Sequence, residues 1–496
     1  MPHAFRFSRR QFLQSAAVMV GGLPLTRLLD SSPVIVSLSY YTRPIRPYFC
    51  GLNTETITGP DWSIPAFINA IASLVPGALR YPGGEVANYW DWQTGWILPH
   101  TYKPNLPPNP YTLTDLKTAV TATGATPIYV LNMLTSDLEN QITMLRAAQN
   151  LGLPVSLIEL GSAFYLDGPE QAYAAKFPTG ADYVKEANRW AAALKTLFPE
   201  VQVAAIGLPD TVSSGRASGW NDALFKTAIG VDAVALRHFA NINTVLNIKT
   251  LPSKGGDESR QNLADEATAL AAKNAVTDVL IQSFENVSNM MRLMDYRPSP
   301  MGIWLTEFGM DSTIYAAHGL WLHGLFGAAL VMQYLELVPI SVACLYNVAG
   351  DALNGAILTE SQPFKRQYDL TPVATYTLSA LGMAFQMLGQ AMHGAIDARH
   401  MQFQPSPTIV GSNKLSYAGV FGLVFKNDHG ARAFILNLLG DSVTVNLGQV
   451  IPQASRFTQL SGDPLQRVTG PSKLNRRSAN FVNVVTLAPY SLTLIQ

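Results

Sequence analysis

Only two cysteines, Cys50 and Cys344, occur in 496 residues. That excludes a disulfide-dense scaffold. Both lie in apolar, strand-like runs, "YFCGLN" and "SVACLYN", so buried thiols are expected rather than a bridge. Charge is also scarce, at 14% of residues, and the 34 basic side chains equal the 34 acidic ones. No basic run or excess marks a nucleic-acid surface, so no nucleic-acid partner is expected. Low-complexity linkers are missing too. With 48% hydrophobic residues, the chain has the composition of a globular protein with a large core, and enough length for a barrel and an accessory domain.

The N-terminal "SRRQFLQSAAVMVGGLPL" joins Arg9-Arg10 to Phe12-Leu13 and a short, weakly apolar stretch from Ala16 to Leu25. This is similar to a twin-arginine export signal covering residues 1–30, an address read by the twin-arginine export machinery and not a fold element. The alternative is a chance arginine pair before a short anchor helix. Export would place the protein in the periplasm, envelope or extracellular space. No clear small-x-small cleavage site follows, which leaves a tether open. A second apolar stretch, His318 to Val338, has the length of a membrane span. His323, Gln333 and Glu336 interrupt it, and it reads as a buried barrel helix.

From Tyr48 onward, β-rich apolar runs alternate with helical patterns. Eight strand-like runs fall at 48–53, 77–81, 127–132, 155–160, 201–207, 231–237, 301–307 and 341–347. Repeated strand–helix units predict a (β/α)₈ TIM barrel over residues 48–392. After about Met392, short alternating runs split by Gly, Asp and Asn turns predict a C-terminal antiparallel β-sandwich over 393–496. The segment 31–47, with its run "PVIVSLSYY", is expected to join that sandwich.

Barrels of this kind keep their reactive groups at the C-terminal strand ends. Polar residues predicted there include Asn53, Arg80, Asn132, Glu159, Ser162, Arg237, His238, Glu307 and Tyr346. Trp90 lies in an aromatic cluster, "NYWDWQTGW", whose rings either stack on sugar faces or pack the loop. A retaining glycosidase needs two carboxyl groups roughly 5–5.5 Å apart, one a nucleophile and one an acid/base. The predicted fourth and seventh barrel strands would supply them.

The runs "LRYPGG", "IELGSAFY", "FPTGADYVKEANRW" and "IWLTEFGM" resemble the clan of retaining glycosidases that includes heparanase, microbial β-glucuronidases and α-L-arabinofuranosidases, the heparanase-like branch most of all. The resemblance runs from about residue 33 to the closing "LAPYSLTLIQ". It implies a glycan or glycoside as partner, no cofactor and no metal, Glu307 as nucleophile, Arg80 as the arginine that orients it, and His238 near the sugar. Asn53, Asn132, Tyr346 and Trp90 would line the sugar site. The departure is on the fourth barrel strand. The clan's Glu-Leu-Gly-Asn-Glu reads here Glu159-Leu160-Gly161-Ser162-Ala163, so the sugar-binding amide is Ser162 and the acid/base position is Ala163. Glu159, four residues earlier, is no substitute by simple alternation, and relocated acids at Glu85, Asp167, Asp210 or Asp311 are the alternative. Loss of general acid catalysis is worth on the order of 10²–10⁴-fold. Hydrolysis is therefore expected to be impaired or altered, the alternative being a catalytically inactive, carbohydrate-binding pseudo-enzyme.

Overall fold

The computed structural model describes residues 33–98, 109–166, 171–208, 215–246, 265–311 except 266 and 273, 315–349, 353–359, 375–428 and 430–496. The export-like segment lies outside them, as do Asp167 and Asp210. A first strand, β1 (Val34–Pro44), precedes eight parallel strands that close into a barrel. These are β2 (Cys50–Asn53), β3 (Ala78–Tyr81), β4 (Thr126–Val130), β5 (Leu157–Leu160), β6 (Gln202–Ile206), β7 (Ala233–Ala240), β8 (Gly302–Met310) and β9 (Ile340–Tyr346). The fold is thus the expected TIM barrel with a C-terminal antiparallel β region.

The outer helices begin and end where local chemistry dictates. Thr112 and Asp115 form a capping box at the start of the helix Leu113–Thr123, which stops at left-handed Gly124. Thr179 and Asp182 do the same for the helix Gly180–Leu197. Each box satisfies backbone N–H groups that the first helical turn leaves without partners. The helix Trp321–Glu336 is buried along nearly its whole length. Among the described residues, no helix is long and apolar enough to cross a membrane.

The remaining strands are β10 (Asp397–Gln404), β11 (Thr408–Val410), β12 (Ser416–Ala418), β13 (Val420–Asn427), β14 (Gly430–Asn437), β15 (Val443–Asn446), β16 (Arg456–Ser461), β17 (Asn475–Asn480), β18 (Val484–Leu487) and β19 (Ser491–Ile495). Nine strands share one sheet in the order β17-β16-β19-β14-β13-β10-β1-β15-β18. The two halves are continuous because β1 pairs antiparallel with β10 and, through Val34 and Ile35, parallel with β15. Alternation gives the central strands two buried faces. On β14, Ala433 and Ile435 join the sheet's own core. Phe434 and Leu436 join the large cluster of the barrel and its helices.

Inside the barrel, period-two alternation sorts the side chains. Ala78, Leu157, Ala235, Trp304 and Cys344 fill a buried lower layer, while Cys50, Leu79 and Ile158 face the helices. Both cysteines are free and buried. They lie on adjacent strands but belong to different sides of the barrel wall. Gly51 must lack a side chain, since a Cβ there would meet Cys344 Sγ at 2.6 Å.

Candidate active site

Two residues further along the strands, the inward positions become charged. Ala78 is followed by Arg80 and Leu157 by Glu159, each step preserving the face. Arg80, with no exposed surface, is the hub. Its Nε and Nη2 donate to the two oxygens of Glu159 at 2.6 and 2.8 Å. Its Nη1 donates to Glu307 Oε1 at 2.7 Å and to Asn53 Oδ1 at 2.8 Å. Nη2 also reaches Ser162 Oγ at 3.3 Å. Burial opposes the charge on Arg80, but Glu159 and Glu307 outweigh it and hold its pKa above the ordinary arginine value. A buried guanidinium with five donors is stable only with such a complete set of acceptors.

Glu307 reaches the barrel interior through a break in alternation. Trp304 points inward, so Glu307, three residues on, would face the helices in a regular strand. Between β7 and β8 the pairing jumps from Leu236↔Leu305 to Arg237↔Glu307. Between β8 and β9 it jumps from Leu305↔Ala343 to Phe308↔Leu345. The extra residue on β8 is a β-bulge that re-aims the side chains after it. Thr306 and Glu307 both reach the cluster, Thr306 Oγ1 donating to Glu159 Oε1 at 3.3 Å. Pairing continues beyond the bulge, so β7 and β8 extend three residues past the ends expected from the sequence, to Ala240 and Met310.

Arg237, opposite Glu307 on β7, is the second cation. Its Nε lies 2.8 Å from Glu307 Oε2, and its Nη1 donates to Glu85 Oε1 at 2.9 Å. Burial disfavours its charge, but Glu307, Tyr165 and Glu85 raise its pKa well above the ordinary value. The two oxygens of Glu307 differ. Oε1 accepts a hydrogen bond from Arg80. Oε2 is buried and pairs with Arg237.

Beyond β5 the chain turns through left-handed Gly161 (φ 77°) and Ala163 (φ 54°). A Cβ on Gly161 would meet the Phe164 ring at 2.2 Å. Asn88 brackets the turn. Its Nδ2 donates to Ser162 O at 2.8 Å, and its Oδ1 accepts from Ser162 N at 3.2 Å. Arg216 fastens the next stretch by donating to the carbonyls of Phe164, Leu166 and Phe177 at 2.6 Å each. Ala163 is buried at 2% exposure and carries only a methyl group. Glu159 cannot stand in for an acid there. Burial raises its pKa and Arg80 only partly counters that, but both its oxygens are committed to Arg80.

The other residues expected at the sugar site have these surroundings. His238 follows inward Arg237 and so faces outward, its Nδ1 2.6 Å from Tyr334 Oη on the helix Trp321–Glu336. Burial lowers its pKa to about 4. Trp90 is 2% exposed, donates through Nε1 to Tyr111 O and packs edge-on against Tyr81. Its ring packs the loop against the barrel. Asn132 donates to Trp90 O and Thr135 Oγ1 and accepts from Leu134 and Thr135 N–H. It ties loops together above the barrel. Tyr346 packs edge-on against Phe239. Asn53 and Ser162 do join the Arg80 cluster, and Glu85 enters it through Arg237. Arg237, which the sequence places at a strand end without a partner, pairs on β7 beside a carboxylate and shares the inward face of Ala233 and Ala235. Among the described residues, no three His, Cys, Asp or Glu side chains are grouped as metal ligands would be.

No family model matches the chain, and comparison with curated protein sequences gives no significant match. Solved structures do match over nearly the full length. An α-L-arabinofuranosidase from Thermotoga maritima superposes with a TM-score of 0.63 at 15% identity, covering 93% of this chain and 99% of that one. A family 51 α-L-arabinofuranosidase from Bifidobacterium longum gives 0.65 at 13%, covering 93% and 98%. The fold is that of these glycoside hydrolases. A 4-O-α-L-rhamnosyl-β-D-glucuronidase from Fusarium oxysporum shares it at a TM-score of 0.55 and 12% identity, covering 94% and 100%. At such identities the likeness speaks for architecture, and the chemistry must be argued from the residues.

Proposed function

We propose that the protein engages a glycan or glycoside at the C-terminal mouth of its barrel, with Glu307 as a retained nucleophile and Ala163 in place of the acid/base. The observation that carries this reading is the inward aim of Glu307 past the β8 bulge, with Arg80 on Oε1 and Arg237 2.8 Å from Oε2, which sets a carboxylate at the strand end where barrels keep their reactive groups. With a methyl at position 163, a sugar hydroxyl would have to leave unprotonated. Hydrolysis of ordinary glycosides is then impaired, while a leaving group that departs as a stable anion needs no acid. Arg80 would act as the orienting arginine, and Asn53 and Ser162 as supports of that arginine.

Within the clan, we place the protein nearest the heparanase-like branch on the likeness of its motifs, which are specific for the clan and not for a substrate. The twin-arginine pattern supports export of the protein to the periplasm, envelope or outside of the cell. A second reading, an inactive carbohydrate-binding protein, is favoured by the closeness of Arg237 to Glu307 Oε2.

Leaving-group dependence separates the two. Aryl glycosides spanning acidic to basic phenols are expected to show steeply falling turnover in the wild type. Ala163→Glu is expected to flatten that slope by raising turnover of the poor leaving groups roughly 10²-fold or more. Glycan binding with no turnover of any aryl glycoside, in wild type or variant, would leave the binding protein as the answer.

A further inference from the structure

Arg237 has no task in attack by Glu307. It is a second guanidinium on one carboxylate, 26% exposed on its side chain, tethered from the other side by Glu85 at 30% exposure. Tyr165 lies beside it, itself 6% exposed. A single arginine already holds Glu307 in place, through a fully buried contact. A second cation on the remaining oxygen therefore changes energetics more than position.

We infer that Arg237 stabilises Glu307 electrostatically as a leaving group, favouring release of a glycosyl–enzyme ester over its formation. The inference rests on Glu307 being the nucleophile. In the first step an Oε2 lone pair forms the bond to the anomeric carbon. The bond from that carbon to the leaving group breaks, and its electron pair departs with the leaving anion. Glu307 then becomes a neutral ester, and the attraction of Arg237 for a carboxylate is lost. In the second step water attacks the anomeric carbon, its proton passes to solvent, and the electron pair of the ester bond returns to Oε2. Negative charge develops beside Arg237 during that step. Preorganised charge aimed at a developing carboxylate lowers the barrier to its formation. With Ala163 supplying no general base to the water, release is the step most in need of help. Arg237 therefore works against the first step and for the second.

The opposite signs make the test sharp. Wild type, Arg237→Gln and Arg237→Lys are treated with 2-deoxy-2-fluoro-β-D-glucuronyl, β-D-glucosyl and α-L-arabinofuranosyl fluorides. Intact mass gives the labelling rate and, after removal of the reagent, the rate at which unlabelled protein returns. Because the pair is partly exposed, the expected effect is about tenfold each way, below the 10²–10³ typical of a buried donor. Arg237→Gln should label about tenfold faster and release about tenfold slower, with Arg237→Lys nearer the wild type. Glu85→Gln, which loosens Arg237 without removing it, should shift both rates the same way by a smaller factor and serves if Arg237→Gln fails to fold. A guanidinium that merely blocks access would, on removal, speed both steps. Rates that move together, or not at all, overturn the inference while leaving Glu307 as nucleophile. Absence of labelling in every protein with every reagent overturns the nucleophile reading, and the inference with it.

Discussion

The barrel interior has two layers built by opposite means on the same strands. The lower one, with Ala78, Leu157, Ala235 and Trp304, is apolar. The upper one, one inward step further, holds Arg80, Glu159, Arg237 and Glu307 in a chain of ion pairs. The lower layer is stabilised by removal from water and by close packing. The upper layer gains little net stability from its charges, because each loses hydration on burial. Its stability depends on completeness, since removing one member strands the others. A folding requirement explains the lower layer fully. It does not explain why charges are kept in the upper one, where the proposed function would place the chemistry.

Removing the hub should expose that difference most strongly. Arg80→Met leaves Glu159 and Glu307 buried without their shared cation and should cost roughly 3–5 kcal/mol in urea unfolding, or prevent folding. Adding Glu159→Leu and Glu307→Leu should recover most of the loss, as an apolar upper layer would resemble the lower one. Failure of that recovery would mean the ion cluster stabilises the barrel outright. In the lower layer, Leu157→Ala should cost about 3 kcal/mol through a cavity, with no recovery from any change of charge.

The wall between the layers and the helices gives a prediction in pH. His238 has its folded pKa lowered to about 4 by burial, against roughly 6.5 when unfolded. The unfolded chain therefore binds more protons between these values, and stability falls as pH drops from about 6.5 towards 4. His238→Gln should remove roughly 2–3 kcal/mol of that acid loss, seen as a flatter stability profile over this window. His323, also buried with a lowered pKa, will keep some acid dependence in the variant. The smallest effect is expected at the turn after β5. Ala163→Gly relieves a left-handed backbone but adds freedom to the unfolded chain, for a net gain of about 0.5 kcal/mol or less by thermal unfolding.

The same contrast shows how far the sequence could be read. Strand–helix alternation was legible because every barrel strand is a short apolar run bounded by helix caps and turn residues. Arg80 followed from the resemblance of "LRYPGG" to the clan's motif, while the pairing of Glu159 with it could not be read from the sequence. His238 could not be placed by motif alone, since resemblance drew it towards the sugar while its position next to inward Arg237 put it on the helix side. Glu307 shows the reverse. Strict alternation from Trp304 would turn it outward, and only the bulge at Thr306, which depends on pairing with both neighbouring strands, brings it in. Trp90 was ambiguous because a ring that packs and a ring that stacks on sugar look alike until burial is known.

The central claim is that Glu307 remains able to attack an anomeric carbon although its partner acid is gone. Peptide mass mapping after treatment with the fluorosugar fluorides measures this directly. The account predicts one glycosyl adduct, on the peptide containing Glu307, absent in Glu307→Gln. An adduct on another carboxylate such as Glu159 or Glu85, or none with any reagent while glycan binding persists, would contradict it.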